Sequence, residues 1–213
     1  MTNDDQWVTY AKEHKKEFLA RIIPEPAPPK EGRTAYLTAG GPGSGKSELR
    51  ASILSQRKTC VIDADEFRTF FPSYNGDNAA EYQRAASYLV DYCFGKIIRK
   101  KLPLTLDSTF GSNRALQNVQ RLLDHGYLVK LYYVYQDPHV SWSFAQKRAR
   151  IVSREAFKKT TLNAYNNVRL AWNQYGSYPN FELILVNRQK RSIIRCKDFS
   201  QVESIEKIIK GGF

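Results

Sequence analysis

From residue 34 onward, short apolar runs alternate with longer stretches whose apolar residues recur at helical spacing. Strands are predicted at Thr34–Ala39, Thr59–Ile62, Leu102–Leu106, Tyr127–Tyr135 and Phe181–Val186, with a shorter one at Ser192–Arg195. Helices are predicted over Lys46–Gln56, Ala79–Lys100, Asn113–His125, Val140–Arg148, Arg154–Tyr175 and Gln201–Lys210. Strand–helix alternation of this length predicts an α/β fold built on a parallel sheet with helices on both faces. Upstream, residues 4–23 place Trp7, Val8, Ala11, Phe18, Leu19, Ile22 and Ile23 along one side of an amphipathic helix. The run from Pro24 to Gly32 suits neither helix nor sheet and reads as a stiff linker. The expected organisation is an N-terminal helix at 1–23, a Pro-rich linker at 24–33 and one domain at 34–213.

Composition changes this picture little. Hydrophobic residues at 42% and aromatics at 13% over 213 residues supply a core and exclude global disorder. The net charge of +12 calls for an anionic partner without choosing among nucleotide, nucleic acid and acidic membrane. Cys60, Cys93 and Cys196 are widely spaced and form no C-x-x-C pair, so reduced, buried thiols are expected rather than disulfides or zinc. No apolar run reaches the length of a membrane span, and the N-terminus lacks the charged and apolar regions of a signal peptide. The expected location is cytoplasmic, with no membrane partner.

The turn after the first strand carries the chemistry. Gly40-Gly41-Pro42-Gly43-Ser44-Gly45-Lys46-Ser47 meets the pattern G-x-x-x-x-G-K-[ST] between a strand and a helix. Glycines let successive backbone N–H groups converge on phosphate oxygens, and the following helix adds its dipole. Lys46 is expected to reach the β/γ-phosphates of ATP, and the Ser47 hydroxyl to coordinate Mg²⁺. A dinucleotide-binding reading fails because Lys46 stands where the third glycine would fall. A GTPase reading is weak, since Asn187-Arg188-Gln189-Lys190 is not the base-reading Asn-Lys-x-Asp.

Ligands of open α/β sheets bind at the carboxyl ends of the strands, where Asp63, Asp65 and Asp107 fall. Asp65, in the loop beyond its strand, is the candidate general base, and Asp63 the candidate support for Mg²⁺-bound water. Both could instead cap the next turn or helix. Asp107 is a candidate Walker B-type carboxylate or acceptor contact, and Thr109 a candidate hydroxyl on the acceptor, with turn chemistry as the alternative for both. The basic segment from Lys147 to Arg154 offers Arg148 and Arg150, with Arg154 third, to offset charge on a transferring phosphoryl group.

With these residues the chain resembles the zeta toxin family of P-loop kinases over about residues 34–175. The matching segments are the loop Gly40–Ser47, Val61-Ile62-Asp63-Ala64-Asp65-Glu66-Phe67-Arg68, Asp107-Ser108-Thr109 and Arg150–Phe157. The resemblance implies transfer of the ATP γ-phosphate to a hydroxyl of UDP-N-acetylglucosamine, and a small antitoxin as partner. It implies ATP and Mg²⁺ at Lys46 and Ser47, and Asp65 as the base. Asp91, Asp107, Thr109 and Arg68 fall on the acceptor side, and Arg148 and Arg150 at the transferring phosphate. Phe71-Pro72 stands where the family has His-Pro, Asp91 where it has glutamate, and the stretch before the arginines is compressed. These departures bear on the acceptor, which leaves other sugar nucleotides and dinucleotides open. A polynucleotide 5′-kinase would suit the charge, but the basic clusters lack interleaved aromatics, which makes nucleic acid the weaker partner. A nucleotide-gated binding module without catalysis is the reading from another class.

Overall fold

A computed structural model describes residues 3–28, 32–147 and 153–211. In it the chain divides into two compact units, one comprising Met1–Arg33 and Lys58–Asp107, the other Thr34–Arg57 and Ser108–Phe213. The strands form a mixed, mostly parallel arrangement.

The first unit holds α1 (Asn3–Ile22), β2 (Cys60–Asp63), α3 (Ala64–Arg68), α4 (Gln83–Lys100) and β3 (Leu104–Asp107). Strands β2 and β3 run parallel, with Cys60 opposite Leu104 and Asp63 opposite Asp107, so the two carboxylates end neighbouring strands side by side. Buried hydroxyls of Thr59 and Thr105 meet at 2.8 Å across this pair. Helix α1 is amphipathic as its spacing predicts, with Ala11, Phe18 and Ile22 buried. Trp7 stacks on Tyr82 with ring centroids 4.7 Å apart, and Phe18 packs 5.2 Å from Phe71. The aromatic residues that follow α3 thus receive the N-terminal helix.

The second unit holds β1 (Thr34–Ala39), α2 (Lys46–Leu49), α5 (Ala115–Asp124), β4 (Leu128–Tyr135), α6 (Pro138–Lys147), α7 (Arg154–Tyr175), β5 (Phe181–Asn187), β6 (Ser192–Arg195) and α8 (Glu206–Lys210). Leu37 of β1 lies opposite Leu131 of β4, which lies opposite Leu183 of β5, all parallel. Side-chain alternation separates two faces. Tyr132, Val134, Ile184 and Val186 form one core cluster with Leu49 and Leu54 of the segment after the glycine-rich turn. Tyr133, of opposite parity, meets Tyr165 of α7 at 6.4 Å. Helical segments therefore cover both faces of these strands, as predicted.

Four local expectations are revised. β6 runs antiparallel to β5, with Leu185 opposite Ile194, because the turn at 188–191 is far too short for a parallel crossover. The helix after Lys46 passes into a π-helical turn over Arg50–Leu54. A short helix, α3, occupies the stretch after Asp63 that was expected to be loop. The expected last helix is split: Asp198 and Gln201 form a capping box that starts a 3₁₀ turn at Phe199–Gln201, and α8 begins only at Glu206.

Candidate active site

The turn between β1 and α2 folds as a cradle. Gly43 and Gly45 take φ of 72° and 99°, a region that side chains rarely enter. The packing reinforces the requirement, since a Cβ on Gly43 would come within 2.1 Å of the Ser141 carbonyl oxygen on α6. Lys46 reaches back over the loop, and its Nζ donates to the carbonyls of Gly40 at 2.9 Å and Gly41 at 2.8 Å. Gly41 rests on Thr161 of α7, whose hydroxyl, like that of Ser44, is buried and makes no hydrogen bond to the described residues. Ser47 is exposed.

The segment after Asp107 is fastened to the same loop. Ser108 N–H donates to Thr38 Oγ1 at 2.9 Å, and that hydroxyl donates to Ser108 O at 3.0 Å. Gly40 N–H donates to Thr109 O at 3.1 Å, which sets Thr109 beside the first glycine of the cradle. The Thr109 hydroxyl accepts from Gly111 N–H at 3.2 Å, so it already serves the local turn. Asn167 of α7 ties the next turn down by donating to Phe110 O and Ser112 O at 2.8 and 3.0 Å. Ser153 caps α7 by accepting from Ala156 N–H at 3.1 Å, and Arg154 opens the helix. Arg148 and Arg150 lie outside the described residues.

A turn at the end of β5 also approaches the cradle. Arg188 N–H donates to Tyr135 O at 2.9 Å, and Lys190 N–H to Asn187 Oδ1 at 3.0 Å. The Lys190 ammonium donates to Glu203 at 2.6 Å. That bond, foremost among several, holds the Glu203 carboxyl below its ordinary range. Burial, by contrast, pushes the phenols of Tyr133 and Tyr135 well above theirs.

In the first unit, Asp63 is the N-cap of α3, its Oδ1 accepting from Asp65 N–H at 2.8 Å. Asp65 sits in the first helical turn, its side chain 45% exposed, and its Oδ1 receives the Arg68 guanidinium at 2.5 Å. Arg68 is itself buried and donates its other terminal nitrogen to Gln83 of α4. Gln83 donates in turn to Ser87 at 3.2 Å, and Asp91 follows at the same four-residue spacing, on the same side of α4. The acidic candidates Asp63, Asp65, Asp91 and Asp107 thus belong to the first unit, and the cradle with Thr109 to the second. Sequence reasoning missed Gln83, Thr161 and Arg188; only Arg188, one residue past a strand's carboxyl end, left a positional signal.

Among the described residues no group of three or more His, Cys, Asp or Glu side chains could hold a metal ion. Mg²⁺ carried with a nucleotide keeps several waters and needs only one or two protein oxygens beside the phosphates, a demand that the exposed Ser47 hydroxyl fits. No helix of the described residues is long and apolar enough to cross a membrane.

A family model described as zeta toxin matches residues 19–194. No curated protein matches the chain. Among solved structures, one of the PezAT chromosomal toxin–antitoxin system of Streptococcus pneumoniae aligns with all of this chain and 90% of its own, at 20% identity and a TM-score of 0.68. The AvrRxo1-ORF1:AvrRxo1-ORF2 structure with ATP covers 91% of this chain and 65% of its own, at 11% identity and a TM-score of 0.60. At these identities the structural likeness speaks to the fold.

Proposed function

The chain belongs to the zeta toxin family and is a P-loop kinase, and we propose that it transfers the γ-phosphate of ATP to a hydroxyl of a sugar nucleotide such as UDP-N-acetylglucosamine. The observation that carries the phosphate-donor half is the Lys46 ammonium on the Gly40 and Gly41 carbonyls, inside a complete glycine-rich loop. Those bonds hold the ammonium over the loop, where phosphate oxygens could accept charge-assisted bonds from it. The neighbouring structure with ATP supports the same donor.

In this reading the backbone of Gly40–Gly45 and the Lys46 ammonium bind and orient the phosphate chain. Ser47 would hold Mg²⁺, and Asp63 its coordinated water. When bound, the ion would offset negative charge on the phosphates. Asp65 accepts the proton of the attacking hydroxyl, and Arg68, braced by Gln83, fixes the orientation of that carboxylate. Asp91, Asp107 and Thr109 contact the acceptor. Arg148 and Arg150 offset charge on the phosphoryl group in transit. The family resemblance supplies the sugar nucleotide, and the PezAT structure supports an antitoxin as protein partner.

The test is to incubate the protein with Mg-ATP and a panel of UDP-sugars, dinucleotides and 5′-hydroxyl oligonucleotides. Mass spectrometry should find UDP-N-acetylglucosamine heavier by one phosphoryl group. Phosphorylation of an oligonucleotide alone would transfer the assignment to a polynucleotide kinase, and turnover of no acceptor would remove the sugar-nucleotide reading.

A further inference from the structure

Arg188 stands outside every role assigned above, yet its side chain lies against the cradle. A Cβ on Gly45 would meet Arg188 Nε at 3.1 Å, Cδ at 3.5 Å and Cζ at 3.7 Å, so the inner end of the guanidinium lies beside the glycine immediately before Lys46. Gly45 is therefore constrained twice, by its φ of 99° and by the arginine over it. The backbone that delivers this side chain is fixed at several points. Arg188 N–H is bonded to Tyr135 O at 2.9 Å, Asn187 Oδ1 closes the turn on Lys190 N–H at 3.0 Å, and Lys190 is anchored on Glu203. Asn187 is buried while Arg188 is exposed, so a rigid root carries a solvent-facing cation.

We propose that Arg188 is a nucleotide-binding residue that contacts the phosphate chain of ATP from the Gly45 side of the cradle, opposite in sequence to the Gly40–Gly41 side that Lys46 covers. The inference rests on the kinase reading and adds a ligand contact to it. A guanidinium offers several donors in a fixed plane and keeps its charge, which suits phosphate oxygens better than an ammonium does. The fixed root in the β5–β6 turn means that binding has to order the side chain of Arg188 but not its backbone. Because the contact is with ground-state phosphate, it should affect nucleotide affinity more than turnover.

The experiment is calorimetric titration of wild type, Arg188→Ala and Arg188→Lys with two probes, ATP and inorganic tripolyphosphate. Arg188→Ala should weaken both probes by roughly tenfold or more, and Arg188→Lys by less. Its KM for ATP should rise while kcat at saturating ATP stays within a few-fold. Unchanged affinity for both probes in Arg188→Ala would overturn the proposal. A loss confined to ATP, with tripolyphosphate binding intact, would overturn it as well, since Arg188 would then contact the base or sugar. A wild-type chain that binds neither probe would remove the nucleotide reading itself, a result distinct from either of these. Circular dichroism separates a binding defect from misfolding, and Arg188→Gln, which is polar but shorter and uncharged, should reproduce the loss.

Discussion

Lys46 and Asp65 are both tied to near neighbours, and the difference between their partners predicts different mutant behaviour. Lys46 bonds to carbonyls of its own loop in a half-exposed setting, so Lys46→Ala removes little packing. Phosphoryl transfer should fall by roughly a hundredfold or more. The melting midpoint should stay within about 4 °C of wild type. A thermal melt beside a transfer assay checks both, and a variant unfolded near ambient temperature would assign Lys46 to structure. For Asp65 the backbone N–H serves the Asp63 cap and the side chain meets Arg68. Asp65→Asn retains an oxygen for Arg68 but loses the basic carboxylate, so transfer to the acceptor should drop by roughly two to four orders of magnitude. ATP affinity should hold. A transfer rate within a few-fold of wild type would move the base to Asp91 or Asp107.

Elements position these residues, and here the sequence was informative in some places and silent in others. The strands were legible because β4 and β5 are dense in Val, Leu, Ile and Tyr between polar boundaries. The cradle was legible because its pattern combines fixed glycines with Lys46. Helix α3 was not: its five residues, Ala64–Arg68, show no hydrophobic period, and its start depends on the Asp63 cap. Thr161 was hidden too, and Arg188 showed only its place past a strand end, because their proximity to Gly41 and Gly45 is made by tertiary packing between distant segments. The fit of α6 against the loop gives an element-scale prediction. Gly43→Ala would drive a methyl group into the Ser141 carbonyl and force a left-handed φ on a side-chain-bearing residue. It should cost about 1–3 kcal/mol of stability and reduce ATP binding together. Urea denaturation and titration would check it, and unchanged values in both would mean that the loop relaxes away from α6.

At the scale of the whole molecule, buried weak acids couple folding to pH. Burial raises the thiol of Cys60 from 9.0 to about 11 and that of Cys93 to about 12, and the Tyr133 and Tyr135 phenols move in the same direction. Above pH 9 the unfolded chain loses protons that the native chain keeps, so stability should fall as pH rises through that range. Denaturation midpoints should be lower at pH 10.5 than at pH 8, and Cys93→Ala in a Cys60→Ala background should flatten the part due to thiols. Equal midpoints would show that these groups ionise alike in both states. The interleaving of the two units has a different consequence, one for synthesis on the ribosome. The first unit is complete once Asp107 is made, whereas β1 must wait for β4 and β5, and the cradle for Ser141, Thr161 and Arg188. A nascent chain therefore displays the whole glycine-rich motif long before any of its buttresses exist. A chain stopped short of Asn187 carries the glycine-rich motif but lacks Arg188, which lies against Gly45, so the motif alone is not the packed loop that the second unit builds.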